Sequence, residues 1–258
     1  YKRQVKDKGK LLEFAAPEFH DDEEIVKTAL EQDGESMEFV SDRLKDNKDL
    51  MLIAIKGAPW TACYASDRLR ADKDVIMASV KTYGQTLYFA SEKLRDDKEV
   101  VMTAIEQDGN ALEFASKRLK DDKEVVLEAI HNNPEALEFA SDRLKGDRQV
   151  VYDSVSKVGW TYCYVQENLL EDRELLMAGL RVTGQILYFA APDMRDDKEV
   201  VKVAVANKPI IIKYASGRLR EDKEIGSIAM KVNKNCYEFL GSNLKQDEDI
   251  LKIKDGVE

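Results

Sequence analysis

Between Asp122 and Asn132 an apolar stripe runs through Val125, Val126, Ala129 and Ile130, with charged residues around it. The spacing i, i+1, i+4, i+5 predicts an amphipathic helix and excludes strand alternation. Asp122 stands just before the stripe, where its side chain can accept hydrogen bonds from the free N–H groups of the first turn. In most copies of this pattern a Gly or Pro follows the helix, as at Gly109, Pro134, Gly159, Gly184 and Pro209, and stops it. The segment upstream of Leu119, Ala111 to Ser116, is apolar on nearly all sides and predicts a second, shorter helix. Two equivalents of that segment carry Ala16-Pro17 and Ala191-Pro192, and Pro fits a first helical turn while disrupting an interior. Other copies place Ser41, Ser66, Ser91, Ser116 and Ser141 there, good N-caps. The reading is therefore a short helix, a break, one turn presenting Leu119, and a longer helix of about ten residues.

This unit recurs every 25 residues. DDKEVVMTAI at 96–105 returns as DDKEVVLEAI at 121–130, and stepping by 25 in both directions finds ten copies without insertion or deletion. Equivalent positions keep one character. An aromatic row runs from Phe14 and Phe39 through Phe114 to Phe239, and a large apolar row from Phe19 through Leu119 to Leu244. A capping row runs from Asp22 through Asn47 and Asp122 to Asp247, and a small row from Ala29 through Ser79 to Ala229. One unit cannot bury its apolar faces alone, whereas stacked copies can. The expected fold class is all-α: an α-solenoid of ten gapless 25-residue helical repeats, each of two short helices plus a helical turn. We expect a single solenoid over residues 1–258. Its last copy, about 246–258, forms a polar C-terminal cap, because Lys254 and Asp255 fill rows that are otherwise apolar. The chain opens inside a helical pattern at Tyr1, so an N-terminus cut from a longer protein is expected.

The repeat phrase LEFASxRLKDDKEVVLEAI resembles the family catalogued as domain of unknown function 4116 (DUF4116), and the resemblance covers essentially the whole chain. That resemblance implies no activity. The family's occurrence in intracellular bacteria, effector-like proteins, protists and large viruses implies an interaction role in the cytoplasm, or in the host cytosol for a secreted effector.

Composition narrows the function further. The formal net charge of -10 disfavours nucleic acid as a partner, since an acidic surface repels phosphate backbones. No run of eighteen apolar residues is present, so no membrane span is expected. Cys63, Cys163 and Cys236 form neither a CxxC nor a zinc spacing, and a reducing compartment is the default. The DDKE motif lacks the Gly and ligand spacing of a calcium loop and recurs in every copy, as a helix cap would. No metal, no cofactor and no catalytic residue are expected, and the chain is read as not an enzyme.

Two features point to binding. The rows at Trp60 and Cys63, i and i+3 on one helix face, are mostly polar in the other copies. Trp60, Cys63, Gln85 and Tyr88 return 100 residues later as Trp160, Cys163, Gln185 and Tyr188. They form the first candidate binding set, against the alternative that both indoles only plug gaps between copies. Leu52, Met77, Met102, Leu127, Tyr152 and Met177 form a second candidate ridge, against the alternative of an enlarged core. The expected function is a protein- or peptide-binding scaffold module. A structural spacer or an accessory repeat domain of a larger protein is the other reading.

Overall fold

In the computed structural model, which describes residues 9–256, the chain sorts into two compact units, Tyr1–Phe139 and Ala140–Glu258. Each is an all-α repeat stack of the expected class, and among the described residues there is no strand. A copy contains three helical pieces, as in Gly109–Phe114, Lys117–Lys120 and Lys123–Asn132. The first is a 3-10 helix, the second a single α-turn, and the third an α-helix. The expected pieces are present, and the short helix takes the tighter form.

The middle piece obeys a simple rule. Where Ser stands before it, at Ser41, Ser66, Ser91, Ser116, Ser141 and Ser216, the turn is α and the Ser hydroxyl accepts from the N–H three residues on. Where Ala16, Gln166 or Gly241 replaces it, the piece is 3-10, over Pro17–Asp21, Glu167–Leu169 and Leu244–Gln246. Ala191-Pro192 likewise leads into a 3-10 turn, Met194–Asp196. A hydroxyl that satisfies one orphan N–H is what holds the wider α geometry.

The two aspartates of the DDKE motif do different work. The second caps its own long helix: Asp122 Oδ1 accepts from Glu124 N at 3.0 Å and Val125 N at 3.4 Å. Its other oxygen takes Lys98 Nζ from the preceding copy at 2.8 Å, and the same lysine reaches Glu124 at 2.7 Å. Lys48 and Lys73 in the first unit, and Lys198 and Lys223 in the second, repeat this double pairing. Arg148 does so with Asp172 and Glu174. The first aspartate looks forward. Asp96 accepts from the Ser116 hydroxyl and from Arg118 Nε at 3.0 Å, and Asp21, Asp46 and Asp196 are engaged in the same way by Ser41 with Arg43, Ser66 with Arg68, and Ser216 with Arg218. One exception shows the ladder's logic. Glu23 stands where the copies from Lys48 to Lys223 have a basic residue, and its partner in the capping row is Asn47, whose Nδ2 donates to Glu23 at 3.4 Å. Asn47 still caps its helix through Oδ1.

The Asp97 and Asp122 carboxyls are held below the usual carboxylate range by the ammonium groups of Lys73 and Lys98, which outweigh the opposing effect of burial; backbone N–H groups add to the lowering. A depressed folded-state pKa contributes stability that is present above the unfolded value of about 4 and lost as the pH falls through the folded value. Asp122→Ala is therefore expected to cost about 1 kcal/mol at neutral pH and to flatten the acid limb of a thermal-melt series below about pH 4. Calcium should leave the melting temperature unchanged, because these carboxylates already serve backbone and lysine donors. A rise of several degrees on adding calcium would contradict the capping account.

The core lies between the stacked pieces. In the first unit Leu44, Leu50, Met51, Leu69 and Val75 share one buried cluster, with Phe39 and Tyr64 packed at its edge. Small residues permit the closest approach between copies: a Cβ built on Gly84 would sit 2.3 Å from the carbonyl oxygen of Ala104. In the second unit Tyr162 takes a row that is Leu in several other copies. It is buried, its hydroxyl donates to Leu170 O at 3.2 Å, and burial pushes its pKa up to about 12. Tyr237 makes the equivalent bond to Lys245 O at 3.0 Å. At the chain's end Lys254 and Asp255 are exposed, and Lys254 lies over the Tyr237 ring.

Candidate functional site

A 3-10 helix has three residues per turn, so side chains at i and i+3 eclipse. In Gly84–Phe89 this geometry turns Thr86 and Leu87 into the core and sets Gln85 and Tyr88 together on the outer face. The same holds for Trp60 with Cys63 in Pro59–Tyr64, for Trp160 with Cys163 in Gly159–Tyr164, and for Gln185 with Tyr188 in Gly184–Phe189. Within each unit consecutive 3-10 helices touch, so their outer faces form a stripe. Each unit thus contains one complete version of the first candidate set.

The stripe is open to solvent. Trp60 and Trp160 are 46% and 38% exposed, and Tyr88 and Tyr188 are 60% and 56% exposed. The indoles therefore do not act as buried plugs between layers. Cys63 and Cys163 are half-buried. Burial pushes the Cys63 thiol up, against the opposing influence of Arg70, so it is not a ready thiolate.

Neighbours that were not singled out from the sequence complete two clusters. In the first unit Tyr88 packs edge-on against Phe89 and Phe114, with ring centroids 5.3 Å away in both cases. In the second unit Tyr188 packs edge-on against Phe189 at 5.0 Å and Tyr214 at 4.9 Å. Phe114 and Tyr214 come from the following copy, where the aromatic row places them. The signal was available, since the stripe residue and the aromatic row are adjacent in sequence. Trp160 also meets Tyr164, at 5.5 Å. Elsewhere the stripe is polar: Lys10 pairs with Glu35 at 2.8 Å, and Gln85 Nε2 donates to Asp108 at 2.5 Å.

The second candidate ridge is not uniform. Leu52, Met77, Met102, Leu127 and Met177 are half-buried on the long helices. Tyr152 is exposed and, with Met177, lines a cleft of about 590 Å³ together with Arg148, Arg173 and Arg181. The arginines at its mouth are largely engaged: Arg148 with Asp172 and Glu174, Arg173 with Asp197.

Among the described residues, no cluster of three or more His, Cys, Asp or Glu side chains is placed to hold a metal ion, and no helix is long and apolar enough to cross a membrane. His20 Nε2 is engaged with Leu12 O at 2.9 Å.

No curated protein and no solved structure matches the chain. A family model does match, in tandem windows over residues 5–45, 22–70, 47–95, 97–145 and 197–245. The windows starting at 22 and 47 overlap with an offset of 25, as expected of a unit that length read in two registers. Residues 146–196 fall outside the windows, and there the ladder residues are most altered: Gly146 and Glu171 replace the forward-looking aspartate, and Gln166 replaces the capping Ser. The windows together span most of the sequence, and the chain belongs to the family described as domain of unknown function DUF4116.

Proposed function

We propose that the chain is a protein- or peptide-binding scaffold module without catalysis of its own, and that it recognises its partner through the aromatic stripe. The observation that carries this reading is the recurrence of solvent-exposed rings at equivalent positions in both units: Trp60 with Tyr88, and Trp160 with Tyr188. Exposed aromatic rings cost hydration free energy, and clustered rings on a polar surface are typical of binding anchors. The supporting chemistry is the engagement of the capping carboxylates in backbone and ion-pair contacts, and a Cys63 thiol shifted away from the thiolate. Cys63 and Cys236, held as thiols, fit a reducing cytoplasm as its place of work.

The test is capture from lysate by the intact chain, compared with a Tyr88→Ala/Tyr188→Ala double variant and with Val232→Ser, an exposed apolar residue in a long helix, off the stripe. A partner held by the stripe should survive Val232→Ser and lose roughly 30-fold or more in affinity with the double variant, the loss expected of hot-spot aromatics. Equal capture by all three proteins would overturn the stripe as the binding surface, and capture by none would support the structural-spacer reading in its place.

A further inference from the structure

The second unit's aromatic cluster sits in an electrostatic setting unlike the rest of the chain. A groove of about 320 Å³ runs between Tyr188, Phe189, Ile210 and Tyr214, and Lys208 and Lys213 stand on its walls. A second groove of about 260 Å³ shares Tyr214 and is lined by Arg195. Among the described residues no carboxylate lines either groove. The bias stands out in a protein with 50 acidic and 40 basic residues. Elsewhere in the same unit Arg148, Arg173, Lys198, Lys202, Arg218 and Lys223 hold acidic partners. Lys208, Lys213 and Arg195 make no ion pair with any described residue. Lys213 Nζ instead lies 4.8 Å from the centroid of the Tyr214 ring, facing solvent.

The segment responsible is KPIIIKY, 208–214, and the other copies show what is unusual in it. The row of Lys213 is Glu at Glu13, Glu38, Glu113, Glu138 and Glu238. The row of Lys208 holds Asp33, Asp108, Asn133 and Asn233 among others, and the row of Ile210 holds Lys10, Glu35, Asn110, Glu135 and Asn235 among others. Two outward positions of one 3-10 helix, Ile210 and Lys213, and its N-cap, Lys208, thus differ from the acidic or amide residues found at these positions in several other copies. Ile212, Ala215 and Leu219, which pack inward, keep the apolar character of their rows. One inward row does change, since Ile211 is buried where most copies have Ser, Thr or Ala, but Lys208 and Lys213 are charged side chains at the groove wall and fill no core space. What they alter is the chemistry offered to something outside.

Building on the stripe reading, we propose that this groove binds an extended acidic peptide carrying one large apolar side chain. The apolar side chain seats between Tyr188, Ile210 and Tyr214, and flanking carboxylates meet Lys208 and Lys213. A groove of about 320 Å³ is at the low end of ligand sites and has room for one side chain, not a folded surface. Charge complementarity around an aromatic seat supplies specificity and on-rate. Single-stranded nucleic acid could also use rings with basic neighbours, but the chain's net charge of -10 opposes it.

The experiment measures fluorescence anisotropy of the intact chain with four labelled probes: a short Asp/Glu peptide with a central Leu-Trp, the same peptide with Lys/Arg for Asp/Glu, the acidic peptide with Ser in place of Leu-Trp, and oligouridylate. The acidic peptide with the anchor should bind at least roughly tenfold tighter than the other three, and weaken as salt is raised. Lys213→Glu should lower that affinity roughly tenfold and improve binding of the basic peptide. Glu138→Lys, on the same row in the first unit, should change neither. If the basic and acidic anchored peptides bind equally and Tyr188→Ala weakens both, the stripe is a binding surface and the acidic proposal is wrong. If neither anchored peptide binds, or Tyr188→Ala has no effect, the stripe reading fails at this groove. Tight binding of oligouridylate with no preference among peptides also overturns the proposal.

Discussion

Replacing Leu119 by Ala should lower the stability of the folded chain by about 2–5 kcal/mol, the range for truncating a fully buried Leu. Leu119 is 0% exposed. It is the one residue of the Lys117–Lys120 turn that points into the core; Lys117 and Arg118 are exposed and Lys120 half-buried. Its backbone N–H is fixed by the Ser116 hydroxyl at 3.2 Å, so the turn cannot easily collapse into the cavity left behind. That places the cost toward the upper part of the range, a fall in melting temperature on the order of 10 °C. Lys117→Ala, in the same turn but exposed, should stay within about 0.5 kcal/mol. Because a repeat contacts mainly its sequence neighbours, hydrogen exchange should quicken most in Lys98–Gln107 and Lys123–Asn132 and least in Lys223–Val232. Equal quickening everywhere would mean that the chain unfolds as one cooperative block.

The difference between what was legible in the sequence and what was not follows from which residues touch within a copy and which touch between copies. Asp122 as a cap, Ser116 as a cap, Leu119 as core and the shared face of Trp60 and Cys63 are all decided within a few residues of chain, so periodicity alone exposes them. Lys98 was legible only as one of the charged residues around the apolar stripe. Its partners, Asp122 and Glu124, lie 24 and 26 residues away, and which rows of adjacent copies meet depends on the stacking register, which a 25-residue period does not contain. The joint exchange of Lys for Glu23 and Asp for Asn47 was a clue to that register. The two jobs of the DD pair were hidden for the same reason, because Asp96 acts on Ser116 and Arg118 in the next copy. So was the basic groove: Arg195, Lys208 and Lys213 are scattered in sequence and share only Tyr214 and its neighbours in space. The expectation for the ridge of Leu52, Met77, Met102, Leu127, Tyr152 and Met177 divided on burial, since helical periodicity gives a face but not how deeply neighbouring helices cover it.

Enlarging a position in the small row should be the other large effect, and Ala104→Leu is the sharpest case. Ala104 is fully buried in the helix Lys98–Gln107, which touches both the 3-10 helix before it, Gly84–Phe89, and the one after it, Gly109–Phe114. Its carbonyl oxygen already lies where a Cβ on Gly84 would be. The same row is Gly at Gly179, and even a Cβ there would come within 2.5 Å of Ile186 Cδ1 and 2.8 Å of Val155 Cγ1. The row is small because two 3-10 helices close on it from either side, so a Leu must push them apart. Overpacking of this kind costs about 1–3 kcal/mol and sometimes more. The upper end is expected here, because moving Lys98–Gln107 also disturbs Asp97, which caps that helix and holds Lys73 at 2.7 Å. Ala104→Ser should be mild by comparison, below about 1 kcal/mol, since the row accepts Ser at Ser79 and Ser154. There the hydroxyl finds a partner, Pro59 O at 2.9 Å for Ser79 and Thr161 Oγ1 at 2.7 Å for Ser154. Thermal melts of the two variants beside the parent chain settle the matter. A Leu variant within about 0.5 kcal/mol of the parent would show that the copies can slide apart, and that the small row is not what sets their spacing.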